Sequence, residues 1–280
     1  MKIKIMTDSG ADLSKYEIIV NKLINVELTT LFDAETEPTK DLSTFWEKLL
    51  NGQMAKTSQP APSIFYDEFE KAKEEGYAII YVALSSKLSG TYQTACTMKN
   101  MVGYEHIYIV DSLSATVGQK VLVLEAISLT KMYDDPKIIA QRLEEHRHKI
   151  KVFASIDTLK YLARSGRISK ASAAIGELAN VKAIISIVNG EVINIGKAVG
   201  TPRAINKLIE IFGELNINYN YPVLPVYAYD SKNCTSLINK LLSKQHQIES
   251  DFLTSLGCVI GTHVGPGGYG FACVVENDGE

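Results

Sequence analysis

Three short apolar runs, residues 3–6, 79–83 and 107–110, each end on a polar turn, closely or distantly followed by helix-compatible sequence. The turns are Thr7-Asp8-Ser9, Ser85-Ser86 and Asp111-Ser112. Apolar runs this short, without alternating polar residues, suit strands buried on both faces. Residues 64–75 place Phe65, Phe69 and Ala72 at helical spacing and stop at Gly76. Residues 114–133 and 136–150 also read as helices, the first more apolar and so more buried. A β and α rhythm of this kind predicts a mostly parallel sheet covered by helices.

The pattern changes near residue 152. Residues 152–156 read as a strand, and Asp157 or Thr158 then caps a helix. Residues 181–188 and 192–195 form a hairpin about Asn189-Gly190, the strongest short turn signal. Helix-like 203–212, strand-like 223–229 and helix-like 234–242 follow. Two further strands are expected at 259–261 and 271–275, around a glycine-rich loop. The expected fold is therefore α/β, with a first domain over residues 1–153 and a smaller α+β domain over 154–280. No repeat or low-complexity linker separates them, so a large shared interface is expected.

The 280 residues allow a sizeable core, and a net charge of −3 argues against a nucleic-acid or acidic-membrane partner. Cys96, Cys234, Cys258 and Cys273 lack the spacing of a metal or disulfide framework and read as buried thiols in a reducing compartment. Met1-Lys2-Ile3-Lys4-Ile5 runs straight into a strand pattern, leaving no room for a signal peptide. No uncharged apolar stretch approaches the roughly 18 residues of a membrane span. A cytoplasmic protein is expected.

Three segments carry the functional signal. They are Lys56-Thr57-Ser58-Gln59-Pro60, Ser85-Ser86-Lys87-Leu88-Ser89-Gly90-Thr91 and Gly261-Thr262-His263-Val264-Gly265-Pro266-Gly267. The first two offer hydroxyl donors without an evident base to activate a nucleophile, and the third adds the only histidine flanked by glycines, His263. Ser89, Gly90 and Thr91 fall at the start of a helix, where free N–H groups favour an anion, and Gly90 allows close backbone approach. Asp and Ser also cap helices, so Asp8 and Asp111 read first as caps. A phosphate loop of the G-x-x-x-x-G-K-[ST] type is absent, so a singly charged carboxylate suits the donors better. Gly265-Pro266-Gly267-Gly268-Tyr269-Gly270 matches G-x-G-x-x-G but precedes a strand, which rejects a dinucleotide site. Arginines are scarce, which draws attention to Arg164 and Arg167.

Taken in order, Thr7-Asp8-Ser9, Lys56-Thr57-Ser58-Gln59-Pro60, residues 85–95, Asp157-Thr158-Leu159 with Arg167-Ile168, and residues 261–267 resemble the motifs of the DegV family. They span nearly the whole chain. The resemblance implies a bacterial protein that binds a long-chain fatty acid, such as palmitate, stearate or oleate, between an α/β domain and a smaller second domain. It implies no cofactor, and a role as the acyl-carrying subunit beside a separate ATP-dependent fatty acid kinase subunit. By the same resemblance Thr57 and Ser89, with Gly90, hold the carboxylate, His263 stands close to it, and Arg167 is a further candidate. The chain departs from the family pattern at Ser165, where glycine is frequent, at Ala183, where proline is common, and at Val199, where arginine is common. The last two bear on docking to a kinase subunit rather than on ligand binding.

Two rival classes remain at this level. Ser89, His263 and one of Asp8, Asp111 or Asp157 have the residue types of a hydrolase triad acting on a lipid or acyl ester, but no G-x-S-x-G elbow exists. His146 and His148 with Glu144 and Glu145 have metal-ligand types, but helical residues two apart do not share a face, and the cluster reads as a solvated charged surface.

Overall fold

The computed structural model describes residues 1–33, 35–168, 180–248 and 253–276. Strands β1 (Ile3–Asp8), β2 (Ile24–Val26), β5 (Ala78–Ala83) and β6 (Ile107–Asp111) form a parallel sheet in the order β2-β1-β5-β6. Between them in sequence, β3 (Thr29–Phe32) and β4 (Ala55–Ser58) pair as an antiparallel ribbon. The lone hydroxyl motif around Thr57 gave no sign of that ribbon, whose strands are only four residues each.

Helices α3 (Pro62–Glu75) and α4 (Thr91–Val102) cover one face of the parallel sheet, packing Phe65, Phe69, Ala95 and Val102 against Met6, Ile79 and Tyr81. Residues Ile5, Ile80 and Val82 point the other way, into a second cluster with α5 (Thr116–Leu129). With both faces covered, all six residues of β5 are buried, which is why its sequence shows no alternation. Helices α1 (Lys15–Val20) and α2 (Leu42–Leu50) complete this half, the first closed by a Ser14/Glu17 capping box.

The second sheet runs β11-β10-β12-β7-β8-β9, from β7 (Ile150–Ile156), β8 (Val181–Val188), β9 (Glu191–Val199), β10 (Leu224–Tyr227), β11 (Thr254–Ser255) and β12 (Tyr269–Val274). Only β10 and β11 are parallel; the other pairs are antiparallel. Its outer face is covered by α8 (Thr201–Glu214) and α9 (Lys232–Ser243) through Leu208, Phe212, Leu237 and Leu241. A division at 153/154 falls inside β7, so we propose that the seam between the halves lies before Ile150.

Helix α5 packs between the sheets, on β1 and β5 of one and on β7, β10 and β12 of the other. A helix enclosed this way is apolar around its circumference rather than amphipathic. Three of its polar residues have partners, as burial demands. Gln119 donates to Thr7 Oγ1, Asp8 and the Val82 carbonyl, Lys120 pairs with Glu17 at 2.6 Å, and Glu125 pairs with His146 at 2.7 Å.

The expected strand at 259–261 is instead helix α10 (Cys258–Val264). Its apolar run is too short for periodicity to separate strand from helix, and tertiary packing decides. A side chain at Gly261 would meet the Phe45 and Trp46 rings of α2 at 2.8 Å, so glycine lets α10 lie directly on them. The helix expected over 136–150 ends earlier: α6 (Pro136–His146) gives way to a 3-10 turn. After β7, α7 (Lys160–Arg164) is the short helix expected behind Thr158, whose hydroxyl accepts from the Lys160 N–H at 3.2 Å. Among the described residues no helix is long and apolar enough to cross a membrane. All four cysteines are free thiols, and burial pushes Cys234 and Cys273 up to about 12 and Cys258 up to about 11, far from reactive thiolates.

Candidate functional site

Between the inner face of the second sheet, the start of α5 and helix α10 lies a cavity of about 920 Å³, solvent at its mouth included. Val152, Ala154 and Ile156 line it from β7, Ile185 and Ile187 from β8, Val226 from β10, and Val259, Ile260 and Val264 from α10. Leu28, Leu84, Leu88 and Ala115 close it from the first half. Alternate residues of β7 supply this wall because side chains on a strand point to one face with a period of two.

Four polar residues singled out in the sequence share this wall: Thr57, Ser89, Arg167 and His263. The β3–β4 ribbon packs on α10, which sets Thr57 Oγ1 2.9 Å from His263 Nε2. Burial, and then the Arg167 guanidinium, pull the His263 imidazole down to about 4, so the ring is neutral near pH 7. Its Nδ1 is buried without a hydrogen-bond partner in the structure. Arg167 follows a left-handed turn at Gly166 (φ 73°) that closes α7, and its backbone N–H bonds the Leu162 carbonyl at 2.9 Å. Its side chain donates to the carbonyls of Leu88, at 3.2 Å, and of Ser165. Arg167 thereby braces the loop that presents Ser89.

Ser89 Oγ lies 2.8 Å from Thr91 Oγ1, immediately before α4, whose cap is Gly90. Gly90 itself is outside the cavity wall. A Cβ there would stand 2.6 Å from Gln59 Oε1, so Gly90 leaves room for the Gln59 side chain beside the Ser89 loop. The assembled wall is mostly apolar, with the Thr57 and Ser89 hydroxyls, a neutral imidazole and one guanidinium among its polar groups. Such a set can hold one carboxylate by hydrogen bonds.

The hydrolase constellation is not assembled. His263 faces Thr57 rather than Ser89, and each candidate acid is engaged elsewhere. Asp8 accepts from the Gly10 and Leu84 N–H groups, the Tyr81 hydroxyl and Gln119. Asp111 accepts from the Ser86 and Leu113 N–H groups, and Asp157 pairs with Lys182 at 2.7 Å. Asp8 and Asp111 are thus loop clamps. His146 departs from the expected solvated surface: it is half-buried between Glu125 and the Tyr221 hydroxyl, with Nε2 3.3 Å from the latter. Among the described residues no group of three or more His, Cys, Asp or Glu could hold a metal ion. Arg164 faces outward and pairs with Asp33 at 2.7 Å.

A family model described as an uncharacterised protein of the DegV family matches residues 2–276. The chain belongs to the DegV family. A DegV domain-containing protein of Clostridium acetobutylicum is 32% identical over 271 residues, covering 94% of this chain and 95% of the relative. A Thermotoga maritima protein named fatty acid-binding protein is 32% identical over 288 residues, covering 98% of each chain. Among solved structures, a DegV lipid binding protein from Thermotoga maritima superposes with a TM-score of 0.86 at 28% identity, covering 98% of this chain and 99% of its own. A structure described as fatty acid binding of a DegV family protein from Thermus thermophilus gives 0.86 at 27% identity, covering 99% and 100%. The two-sheet arrangement is therefore the DegV fold. The cavity walls themselves were not legible from sequence, because they are gathered from segments as far apart as Leu28 and Val264.

Proposed function

We propose that this DegV protein binds one long-chain fatty acid, such as palmitate, stearate or oleate, with the acyl tail in the apolar cavity and the carboxylate at Thr57 and Ser89. The observation that carries the reading is a mostly apolar chamber with Thr57, Ser89, Arg167 and His263 on its wall. Burying the tail is worth roughly 0.8 kcal/mol per methylene, so a long chain binds by that term alone. The carboxylate then needs donors, since an unpaired buried charge is very costly. Thr57 and Ser89 supply hydroxyls, and neutral His263 can donate or accept by choice of tautomer. The names of the Thermotoga and Thermus relatives support the same ligand class.

The test is Thr57→Ala with Ser89→Ala in one folded chain. Each lost hydrogen bond to a charged group should cost roughly 1.5–3 kcal/mol, so affinity should fall at least tenfold. Trp46, the lone tryptophan, is buried against Gly261 of α10 and gives a fluorescence signal for titration. Unchanged affinity in the double variant would reject the assignment. Hydrolysis of p-nitrophenyl esters by the wild type would favour the Ser-dependent hydrolase instead.

The further reading is that the bound acid is presented to a separate ATP-dependent fatty acid kinase subunit. Phosphoryl transfer needs cationic stabilisation of a highly charged group, and the described cavity offers only Arg167, already committed to two carbonyls. With ATP, magnesium and fatty acid, this chain alone should yield no acyl phosphate, and product should appear once a kinase subunit is added. His263→Ala should reduce that coupled rate more than it reduces binding. Acyl phosphate made by the chain alone would overturn the carrier reading.

A further inference from the structure

No residue from Asp8 to Asp12 lines the cavity, yet three of their side chains hold three pieces of its wall. Asp8 Oδ2 accepts from the N–H of Leu84 at 2.9 Å, and Ser9 Oγ accepts from the N–H of Leu28 at 2.9 Å. Both Leu84 and Leu28 line the cavity. Asp12 Oδ1 accepts from the N–H of Gly257 at 2.9 Å, the residue between the cavity-lining Leu256 and the first turn of α10. The first two ties stay within the first half of the chain. The third crosses 245 residues to the helix that carries His263.

Asp12 is built for that contact. Its backbone is left-handed (φ 49°, ψ 38°), a conformation that Asp and Asn adopt more readily than other side chains. The residue as a whole is half-buried, but its Oδ2 is shielded from solvent and lacks a partner of hydrogen-bond geometry. Thr116, a cavity-lining residue at the start of α5, lies beside the carboxyl. Lys120 faces it from the same helix, itself held by Glu17 of α1 and Thr254 of β11. Asp8 faces it from its own turn, and Cys258 from α10. Burial pushes the Asp12 carboxyl up to about 7, against the pull of Thr116, Gly257 and Lys120.

We infer that Asp12 is a positioning residue for the carboxylate end of the cavity, fixing α10, and with it His263, against the first half of the protein. This rests on the reading of the cavity as a fatty acid site. An ionised carboxylate at the amino end of α10 forms a charge-assisted bond to the Gly257 N–H, stronger than the one a neutral side chain makes. The tie is therefore strongest when Asp12 is charged, above neutral pH, and it weakens as Asp12 takes up a proton.

The experiment compares oleate binding by wild type, Asp12→Asn and Asp12→Gly at about pH 5.5 and about pH 8.5. Asn keeps the left-handed preference and one acceptor but not the charge. Gly suits the same backbone and removes the tie. Asp12→Asn should match wild type at the lower pH and bind roughly three- to tenfold more weakly at the higher. Asp12→Gly should bind more weakly at both. Taking variant-to-wild-type ratios removes the ionisation of oleate itself from the comparison. An Asp12→Asn ratio that is the same at both pH values, or an Asp12→Gly with wild-type affinity, overturns the inference while the carrier reading stands. Should Asp12→Gly fail to fold, the Asp12→Asn ratio decides alone. A wild type that takes up no oleate at either pH rejects the carrier reading, and this inference with it.

Discussion

Ala154→Trp should abolish fatty acid uptake by a protein that still folds. Ala154 lines the cavity from the middle of β7, between Val152 and Ile156, and its cross-strand neighbour on β12 is Gly270. An indole there enters space that is empty in this chain. Excluding even four methylenes of an acyl tail forfeits about 3 kcal/mol, more than a hundredfold in affinity. The fold itself should lose no more than the roughly 1–3 kcal/mol of an overpacked core. Titration with oleate, alongside circular dichroism and a melting curve, separates the two effects. Full affinity in the folded variant would mean that the tail lies somewhere other than this chamber.

Asp8→Ala should be the most damaging single change to stability outside the apolar core. Removing that carboxylate orphans the Gly10 and Leu84 N–H groups and the Tyr81 hydroxyl, and takes from Gln119 one of its three acceptors. Each buried donor left unsatisfied costs roughly 1–3 kcal/mol, and together they take a large share of a typical stability. Urea denaturation should therefore show a much lower midpoint. The wild type also tests a sign. Burial raises the carboxyls of both Asp8 and Asp12 above their unfolded values, so the folded chain keeps protons that the unfolded chain gives up. The resulting stability is complete below the unfolded value of 3.8 and, for Asp12, is lost as pH rises through about 7. A wild-type stability that instead rose steadily across that interval would contradict the assignment.

Much of the fold was legible because the same residues state it twice. The apolar run of β5 carries no alternation, and β1 and β6 each end on a polar turn. Asn189-Gly190 gave the β8–β9 hairpin, and both residues take positive φ there (49° and 86°). Helix α10 was misread because Val259-Ile260-Gly261 is equally good strand sequence. What favours the helix is its close packing on the Phe45 and Trp46 rings beneath Gly261, a contact over more than 200 residues of chain. The donors Thr57, Ser89 and His263 stood out because hydroxyls and imidazole are conspicuous among apolar neighbours. Asp12 did not, since nothing local marks an aspartate whose partner is Gly257. Leu28 and Val226 could not be told from ordinary core, because a wall of a cavity and a wall of a core have the same chemistry.

The position of β12 has a consequence for how the chain is made. It is the last described strand in sequence, yet it lies between β10 and β7 and pairs with both. While the protein is being synthesised, the earlier strands of that sheet emerge as two separate groups, β7-β8-β9 and β10-β11, with no edge in common. Each group exposes apolar residues, Val152 and Ile185 in one and Val226 in the other, that the finished molecule turns toward its interior. Only when residues 269–274 leave the ribosome can the groups be joined and the chamber close. Pairings this distant are slow to form, so the nascent chain passes through an interval of sticky, unsealed sheet edges. The closing of this sheet is thus left to the six residues of β12.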